Sequence, residues 1–139
     1  MTTLLLAATH QPSPETAHAY EAGVCNIGPA EVAARRRSGH VGAALTIGLL
    51  ALLLAIDAPP LARLLVAIPA MMSAVGYLQA YLHFCAAYGF WGSFNFGRLG
   101  NRQAVLDPDS LARDRRRALQ IALAGIGIGL AVALLAVAL

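Results

Sequence analysis

Three long apolar blocks dominate this sequence, and they constrain its fold more than any other feature. They cover about residues 39–57, 61–91 and 118–139, and the third block contains no charged residue. A helix needs roughly 20 apolar residues to cross the hydrocarbon core of a bilayer, and each block approaches or exceeds that length. The sequence therefore predicts an all-α membrane protein with three transmembrane helices and a short cytoplasmic N-terminal segment.

Composition supports the same prediction. Hydrophobic residues make up 58% of the 139 residues and charged residues only 12%. A soluble domain usually carries about 25% charged residues, so this chain has too little polar surface to cover a soluble domain of its length. Insertion into a membrane explains both the low charge and the clustering of the apolar residues.

The borders of the blocks carry signals that start or end helices. Pro29 suits the first position of a helix, and Glu31 would then lie in the first turn, where the helix dipole favours a carboxylate. We expect this short helix, over about residues 29–37, to lie at the membrane surface or to continue into the first transmembrane helix. Asp57-Ala58-Pro59-Pro60 ends the first block, and Asp107 followed by proline predicts the start of the third helix.

The remaining segments are less regular. Residues 1–38 are predicted to form a cytoplasmic arm followed by the short interfacial helix, with an irregular course around Pro12 and Pro14. The second block, 61–91, would form a helix of roughly 45 Å, so it must tilt, kink near Pro69 or project beyond the membrane. Residues 92–117 form an Arg-rich loop that leads into the third transmembrane helix.

The distribution of arginine predicts the orientation. With three crossings, nine of the ten basic residues lie on one side, and Arg63 alone lies on the other. Because cytoplasmic loops carry an excess of basic residues, we expect a bacterial cytoplasmic membrane location with the N-terminus inside and the C-terminus outside. The residues that would contact lipid phosphates or set the topology are Arg35, Arg36, Arg37, Arg113, Arg115, Arg116 and Arg117. These arginines flank membrane segments, so nucleic-acid binding is not predicted.

Gln79 and His83 are polar residues within the second apolar block. Polar side chains in a membrane segment usually face protein or water, since lipid offers them no hydrogen bonds. They could bind a metal or haem, line a pore, or bond to a neighbouring helix. His83 and Cys85 are two residues apart and would point in nearly opposite directions on one helix, so this pair alone makes a poor metal clip.

A wider metal site is a separate hypothesis. Cys25, His40, His83 and Cys85 all fall near the cytoplasmic end of the predicted bundle, and cysteine and histidine are common ligands of zinc and other transition metals. The alternative is that these are interfacial or buried thiols and histidines without a ligand. The two cysteines are far apart in sequence and do not indicate a disulfide framework.

Two other residue groups indicate contacts. A stripe of small residues on the third helix would allow another helix to approach closely, either a partner, a second copy or this chain's own helices: Ala118, Ala122, Gly125, Gly129 and Ala133. Aromatic residues cluster at the far end of the second block and just beyond it, as is typical of the headgroup level: Tyr88, Phe90, Trp91, Phe94 and Phe96.

The sequence contains no enzyme motif that we can name, and no acidic residue lies in its second or third block, as coupled carriers would usually require. The leading hypothesis is a non-catalytic subunit or accessory protein of a larger membrane complex. A redox protein with a bound metal or haem is the first alternative. A small homo-oligomeric channel lined by Gln79 and His83 is the second.

Overall fold

The computed structural model describes residues 19–139, so most of the predicted irregular arm, residues 1–18, lies outside the described part. The described chain is mainly helical. In chain order its elements are α1 (Pro29–Ala55), a 3-10 helix (Pro60–Val66), α2 (Ala67–Leu82), α3 (Ala86–Trp91), β1 (Ser93–Phe94), β2 (Gln103–Ala104) and α4 (Pro108–Val137). The two short strands pair antiparallel and were not predicted.

Three helical segments are long and apolar enough to cross a membrane: Pro29–Ala55, Pro60–Leu82 and Pro108–Val137. This confirms a mainly helical chain with three such segments. Their outer surfaces carry large apolar side chains, and Ile47 and Leu135 are each 70% exposed. Such faces fit a hydrocarbon environment, because water would have to hydrate each of these side chains.

α2 is the central helix of the bundle. α1 packs along one side of it and α4 along another, whereas α1 and α4 make few direct contacts with each other. At the end away from the arginine triplet, Leu53 of α1, Val66 of the 3-10 helix and Val132 of α4 belong to one apolar cluster. The three long helices therefore meet at that end and form an open layer elsewhere.

Small residues bring α1 and α2 into close contact. A Cβ atom on Gly42 would lie 2.5 Å from the backbone nitrogen of Ser73, and one on Gly76 would lie 2.6 Å from the backbone nitrogen of Gly39. The Ser73 hydroxyl donates a hydrogen bond of 2.9 Å to the carbonyl of Gly39. The contact between α1 and α2 thus combines close backbone approach with a hydrogen bond between the helices, as is typical of membrane helix pairs.

The small-residue stripe of α4 packs against α2 of the same chain. A Cβ on Gly125 would meet the side chain of Val75, and one on Gly129 would meet both the side chain and the backbone of Met71. Ala118 and Ala133 are fully buried. Of the partners considered for this stripe, the structure places the chain's own α2 against it.

The predicted helix borders are found at the start of α1 and α4. α1 continues from Pro29 through the arginine triplet without a break, which is one of the two courses that we considered. The Asp107 carboxylate accepts hydrogen bonds from the backbone N–H of Ser110 at 2.9 Å and from its hydroxyl at 2.6 Å. Asp107 therefore caps α4 as predicted.

The apolar block 61–91 does not form one continuous helix, so this part of the sequence prediction is wrong. α2 ends at Leu82, His83 adopts a left-handed conformation (φ 53°), and the chain resumes as α3 at Ala86. Pro69 lies in the first turn of α2, where a missing N–H is tolerated, and the change from 3-10 to α geometry occurs two residues earlier, at Ala67. The break at residues 83–85 is stabilised by distant side chains described below.

The α1–α2 contact gives a matched pair of glycine substitutions. Gly42→Ala would place its methyl group against the backbone of Ser73, whereas Gly48→Ala on the same helix meets nothing within 4 Å. We expect Gly42→Ala to destabilise the fold by about 1–3 kcal/mol and Gly48→Ala to be neutral or slightly stabilising. The thermal unfolding midpoint in detergent measures both. Equal midpoints for the two variants would contradict this helix contact.

Candidate functional site

The end of the bundle that carries most arginines is closed by loops, the short helix α3 and the two short strands, which we together call the polar cap (residues 19–28 and 83–107). It packs against the first turns of α1 and α4 and the last turn of α2. The buried polar or charged residues of the described chain lie in or against this cap: Asn26, Glu31, Gln79, Ser93, Asn95 and Asp114. Buried polar groups are costly unless they are hydrogen-bonded, so their partners define what the cap does.

Glu31 connects the first turn of α1 to the polar cap. One carboxylate oxygen accepts hydrogen bonds from the Tyr88 hydroxyl at 2.7 Å, the Asn95 amide at 2.9 Å and the backbone N–H of Gly100 at 3.4 Å. The other oxygen pairs with the Arg35 guanidinium at 3.4 Å, one helical turn away. These contacts bring α1, α3 and the loop after β1 to a single buried group.

The charge state of this group follows from its partners. Glu31 precedes the charge-free stretch of α1, which begins at Ser38. Burial raises the pKa of the Glu31 carboxyl, but hydrogen bonds from Tyr88 and Asn95 and the charge of Arg35 outweigh this, and the pKa is lowered overall. Burial and the bond to this carboxylate raise the pKa of Tyr88 to about 12. At neutral pH Glu31 is therefore ionised and Tyr88 remains a neutral donor.

The break between α2 and α3 is held by two amide side chains. The Asn26 side chain accepts from the backbone N–H of Cys85 at 2.7 Å and donates to its carbonyl at 3.1 Å. The Gln79 side-chain oxygen accepts from the backbone N–H of Ala86 at 2.9 Å, and the carbonyl of His83 accepts from the N–H of Asn26 at 3.1 Å. These bonds replace those that a continuous helix would have made.

Asp114 joins the N-terminal part of the polar cap to α4. Its carboxylate is fully buried and accepts from the Tyr20 hydroxyl and from the backbone N–H of Gly23, each at 2.7 Å. The Tyr20 ring stacks on Phe94 with ring centroids 4.7 Å apart. Burial, followed by the hydrogen bond to Asp114, raises the pKa of Tyr20, so this hydroxyl stays protonated as a donor.

Sequence reasoning missed Asn26, Asn95 and Asp114 as structural residues. Asp114 could have been found, because it lies four residues before Ala118 and extends the buried stripe of α4 by one turn. Asn26 and Asn95 lie in irregular segments, where no periodicity marks a buried position. Their roles depend on contacts that are distant in sequence.

A cavity of about 760 Å³ lies beside the polar cap, between residues 19–28, α1 and the end of α2. Its walls are mostly apolar, and Cys25, His83 and Arg36 contribute the polar groups. Two of the four predicted metal ligands therefore share one cavity. Burial raises the pKa of the Cys25 thiol, which donates to the carbonyl of Ala19 at 3.1 Å.

The other two predicted ligands lie elsewhere. His40 is 2.6 Å from the Tyr77 hydroxyl through its Nδ1 atom, and Cys85 is fully buried in a cluster with Ile27 and Tyr88. Within residues 19–139, no three His, Cys, Asp or Glu side chains come together in a group that could hold a metal ion. The four residues thus do not converge on one site.

The predicted aromatic group is divided in a similar way. Trp91 is 73% exposed and Phe90 is also at the surface, as headgroup contacts require. Tyr88 and Phe94 are buried in the polar cap, and Phe96 lines the large cavity. The aromatic residues thus serve both the surface and the core of this end of the bundle.

A second concave surface lies within the apolar part of the bundle, where α1 and α4 leave one face of α2 uncovered. We call it the helix groove; its volume is about 270 Å³, and it is lined by Ala43, Thr46, Ile47, Ala70, Ser73, Ala74, Tyr77, Ile128 and Val132. The Thr46 hydroxyl donates to the carbonyl of Gly42 at 2.7 Å, and the hydroxyls of Ser73 and Tyr77 are bonded as described above. The groove therefore presents apolar atoms and hydroxyls that already have partners.

Comparison with known proteins does not add a relative to this picture. No protein-family model, curated protein or solved structure matches the chain. The functional inference therefore rests on the geometry of the polar cap and the helix groove.

The lowered pKa of Glu31 gives a pH prediction. A carboxyl whose pKa is lower in the folded state stabilises the fold above its unfolded pKa, and this stabilisation is lost as the pH falls through the folded pKa. We expect Glu31→Gln to reduce the unfolding free energy at pH 7 by about 2 kcal/mol. We also expect a shallower loss of stability than the wild type shows below about pH 4.3.

Asp109→Asn, which changes an exposed carboxyl in the first turn of α4, is the matched control. It should keep the wild-type acid dependence. Detergent unfolding curves between pH 3 and pH 7 compare the three proteins. An unchanged slope in Glu31→Gln would show that this carboxylate is not a major contributor to acid sensitivity.

Proposed function

We propose that this chain is a non-catalytic subunit of a membrane complex and that it binds a transmembrane helix of another polypeptide in the helix groove. The open face of α2 carries this proposal: α1 and α4 pack along α2 but hardly touch each other, so the bundle lacks a helix on one side. A fourth helix would bury the groove and complete the packing around α2.

The chemistry of the groove favours a helix as its occupant. Small residues such as Ala43, Ala70 and Ala74 form much of its lining, and small residues let helix backbones approach closely in a membrane. The Thr46 and Ser73 hydroxyls are bonded to backbone carbonyls of their own chain. An ion or polar solute would find few free donors or acceptors there, whereas apolar side chains of a helix would fit.

The alternative functions receive less support from the geometry. The channel hypothesis requires Gln79 to face a pore, yet its side-chain oxygen accepts from Ala86 in the helix break. The metal hypothesis has Cys25 and His83 around one cavity, and a structural metal site usually needs four ligands. The polar groups that are buried in the cap mainly bond to the backbone or to one another, which supports a structural role.

For orientation, we propose that the polar cap faces the cytoplasm of a bacterial cell and that the end near Asp57 faces outward. Arg35–Arg37 at the start of α1 and Arg113–Arg117 at the start of α4 belong to the same end of the bundle. Arg63 follows the turn at the other end. The asymmetry agrees with the excess of basic residues on cytoplasmic sides.

Single cysteines at the two ends test this orientation. In a Cys25→Ser, Cys85→Ala background, Pro59→Cys and Leu99→Cys place exposed thiols at opposite ends of the bundle. A membrane-impermeant maleimide should label Pro59→Cys in cells whose cytoplasmic membrane is intact. In cells that have an outer membrane, that membrane is first made permeable. Leu99→Cys should react only after the cytoplasmic membrane is opened. The reverse pattern would invert the proposed topology.

Two leucine substitutions on α1 test the partner helix. Ala43 lines the groove, whereas its neighbour Ala44 is exposed and does not line it. Native mass spectrometry of the wild type from its own membranes should show a complex with another polypeptide. Ala43→Leu should fill the groove and reduce that complex at least about tenfold, equivalent to about 1.4 kcal/mol, while Ala44→Leu should retain it.

The same experiment can overturn the proposal. A wild type that is found as a single chain or homo-oligomer would contradict a subunit role. Equal loss of the complex in Ala43→Leu and Ala44→Leu would place the contact outside the groove. Ala43→Leu must also keep the thermal unfolding midpoint of Ala44→Leu, so that loss of the complex reports on docking.

A further inference from the structure

Arginine side chains converge on a pocket at the start of α4. Arg113, Arg116 and Arg117 line this pocket of about 210 Å³ together with Gln120, and residues 22–23 of the polar cap close one side. The four α4 residues follow one another at helical spacing on one face. We call this pocket the arginine pocket. It lies directly before the charge-free stretch of α4, which begins at Ala118.

An apolar pocket adjoins it on the side of the membrane segment. This second pocket, of about 180 Å³, is lined by Leu78 and Leu82 of α2 and by Ile121 and Ala124 of α4. Arg117 and Gln120 line both pockets, so the two spaces are neighbours. From Arg113 to Ala124 the surface changes from cationic to apolar over roughly 16 Å of helix.

Among the described residues, no carboxylate forms an ion pair with the arginines of this pocket. Neither pocket has an Asp or Glu among the lining residues that the structure describes. The nearby Asp114 carboxylate is fully buried, and its two oxygens accept from Tyr20 and Gly23. Within the described chain the Nε atom of Arg117 is buried without a hydrogen-bond partner. The same guanidinium donates to the Gln120 side-chain oxygen at 3.4 Å. Arg113 and Arg116 are exposed, so their N–H groups are open to an acceptor from outside the chain.

We infer that these two pockets bind an anionic phospholipid, with its phosphate on the arginines and one acyl chain along Leu78 and Ala124. Guanidinium groups form charge-assisted bonds with phosphate oxygens, and anionic lipids are attracted to basic residues at the membrane surface. The order of the surface, cationic at the membrane boundary and apolar towards its interior, matches the order of headgroup and chain. The inference does not depend on a partner helix.

The neighbouring Arg115 provides a control that distinguishes lipid binding in the pocket from general attraction of anionic lipid to a basic surface. It carries the same charge, belongs to the same turn and is exposed, as Arg113 and Arg116 are, but it lines neither pocket. A site formed by the pocket should depend on Arg113, Arg116 and Arg117 and be insensitive to Arg115. Simple attraction of a basic surface to anionic lipid would depend on all of them.

Native mass spectrometry of the purified chain in neutral detergent tests the site. With added phosphatidylglycerol we expect a one-lipid complex, and little complex with phosphatidylcholine at the same concentration. An Arg113→Gln, Arg116→Gln, Arg117→Gln triple variant should weaken binding of phosphatidylglycerol at least about tenfold. Arg115→Gln should bind as the wild type does.

A second variant tests the chain pocket while all arginines remain. Ala124→Phe should fill the apolar pocket and weaken binding of phosphatidylglycerol, whereas Ala131→Phe, at an exposed position two turns further along α4, should not.

Equal binding of phosphatidylcholine would overturn the inference, as would equal loss in Arg115→Gln. Full displacement of phosphatidylglycerol by an equal concentration of inorganic phosphate would also overturn it, since it would indicate an anion site without a chain.

Discussion

The polar cap depends on the hydrogen bonds and the ion pair that the buried carboxylate of Glu31 forms. An ionised group removed from water costs several kcal/mol unless partners replace its hydration, and here Tyr88, Asn95 and Gly100 donate while Arg35 supplies the opposite charge. These donors come from α3 and the loop after it. The chain that leaves α2 must therefore return beneath the first turn of α1, and a helix that continued straight beyond Leu82 would carry Tyr88 away from this carboxylate.

The break after Leu82 follows from that requirement and also sets the length of the second apolar helical segment. Pro60–Leu82 comprises 23 residues, close to the roughly 20 that a bilayer requires, whereas the whole apolar block would be too long. The broken backbone needs new hydrogen bonds, and Asn26 and Gln79 supply them at Cys85 and Ala86. The apolar residues after the break pack in the polar cap. A prediction from hydrophobicity alone therefore extended the second helix beyond Leu82.

The sequence predicted those features that arise from local patterns. The three spans follow from apolar length, and the start of α4 follows from Asp107 and the proline after it. The break at residues 83–85 could not be predicted in this way, because Asn26 is 59 residues from Cys85 and no glycine or proline marks the break. Glycine and alanine spacing on α4 identified a packing face, but only the arrangement of the helices determines that Val75 and Met71 of α2 occupy it.

The surfaces left for other molecules are those that the chain's own packing does not use. Gly125 and Gly129 are covered by α2. In the apolar part of the bundle the helix groove stays open beside them, with Ile128 on its α4 side. Ala124 of the apolar pocket lies four residues earlier, so the two surfaces follow each other along α4. An acyl chain that starts at the arginine pocket would therefore point towards the groove. The lipid and the partner helix that we propose would then be in contact.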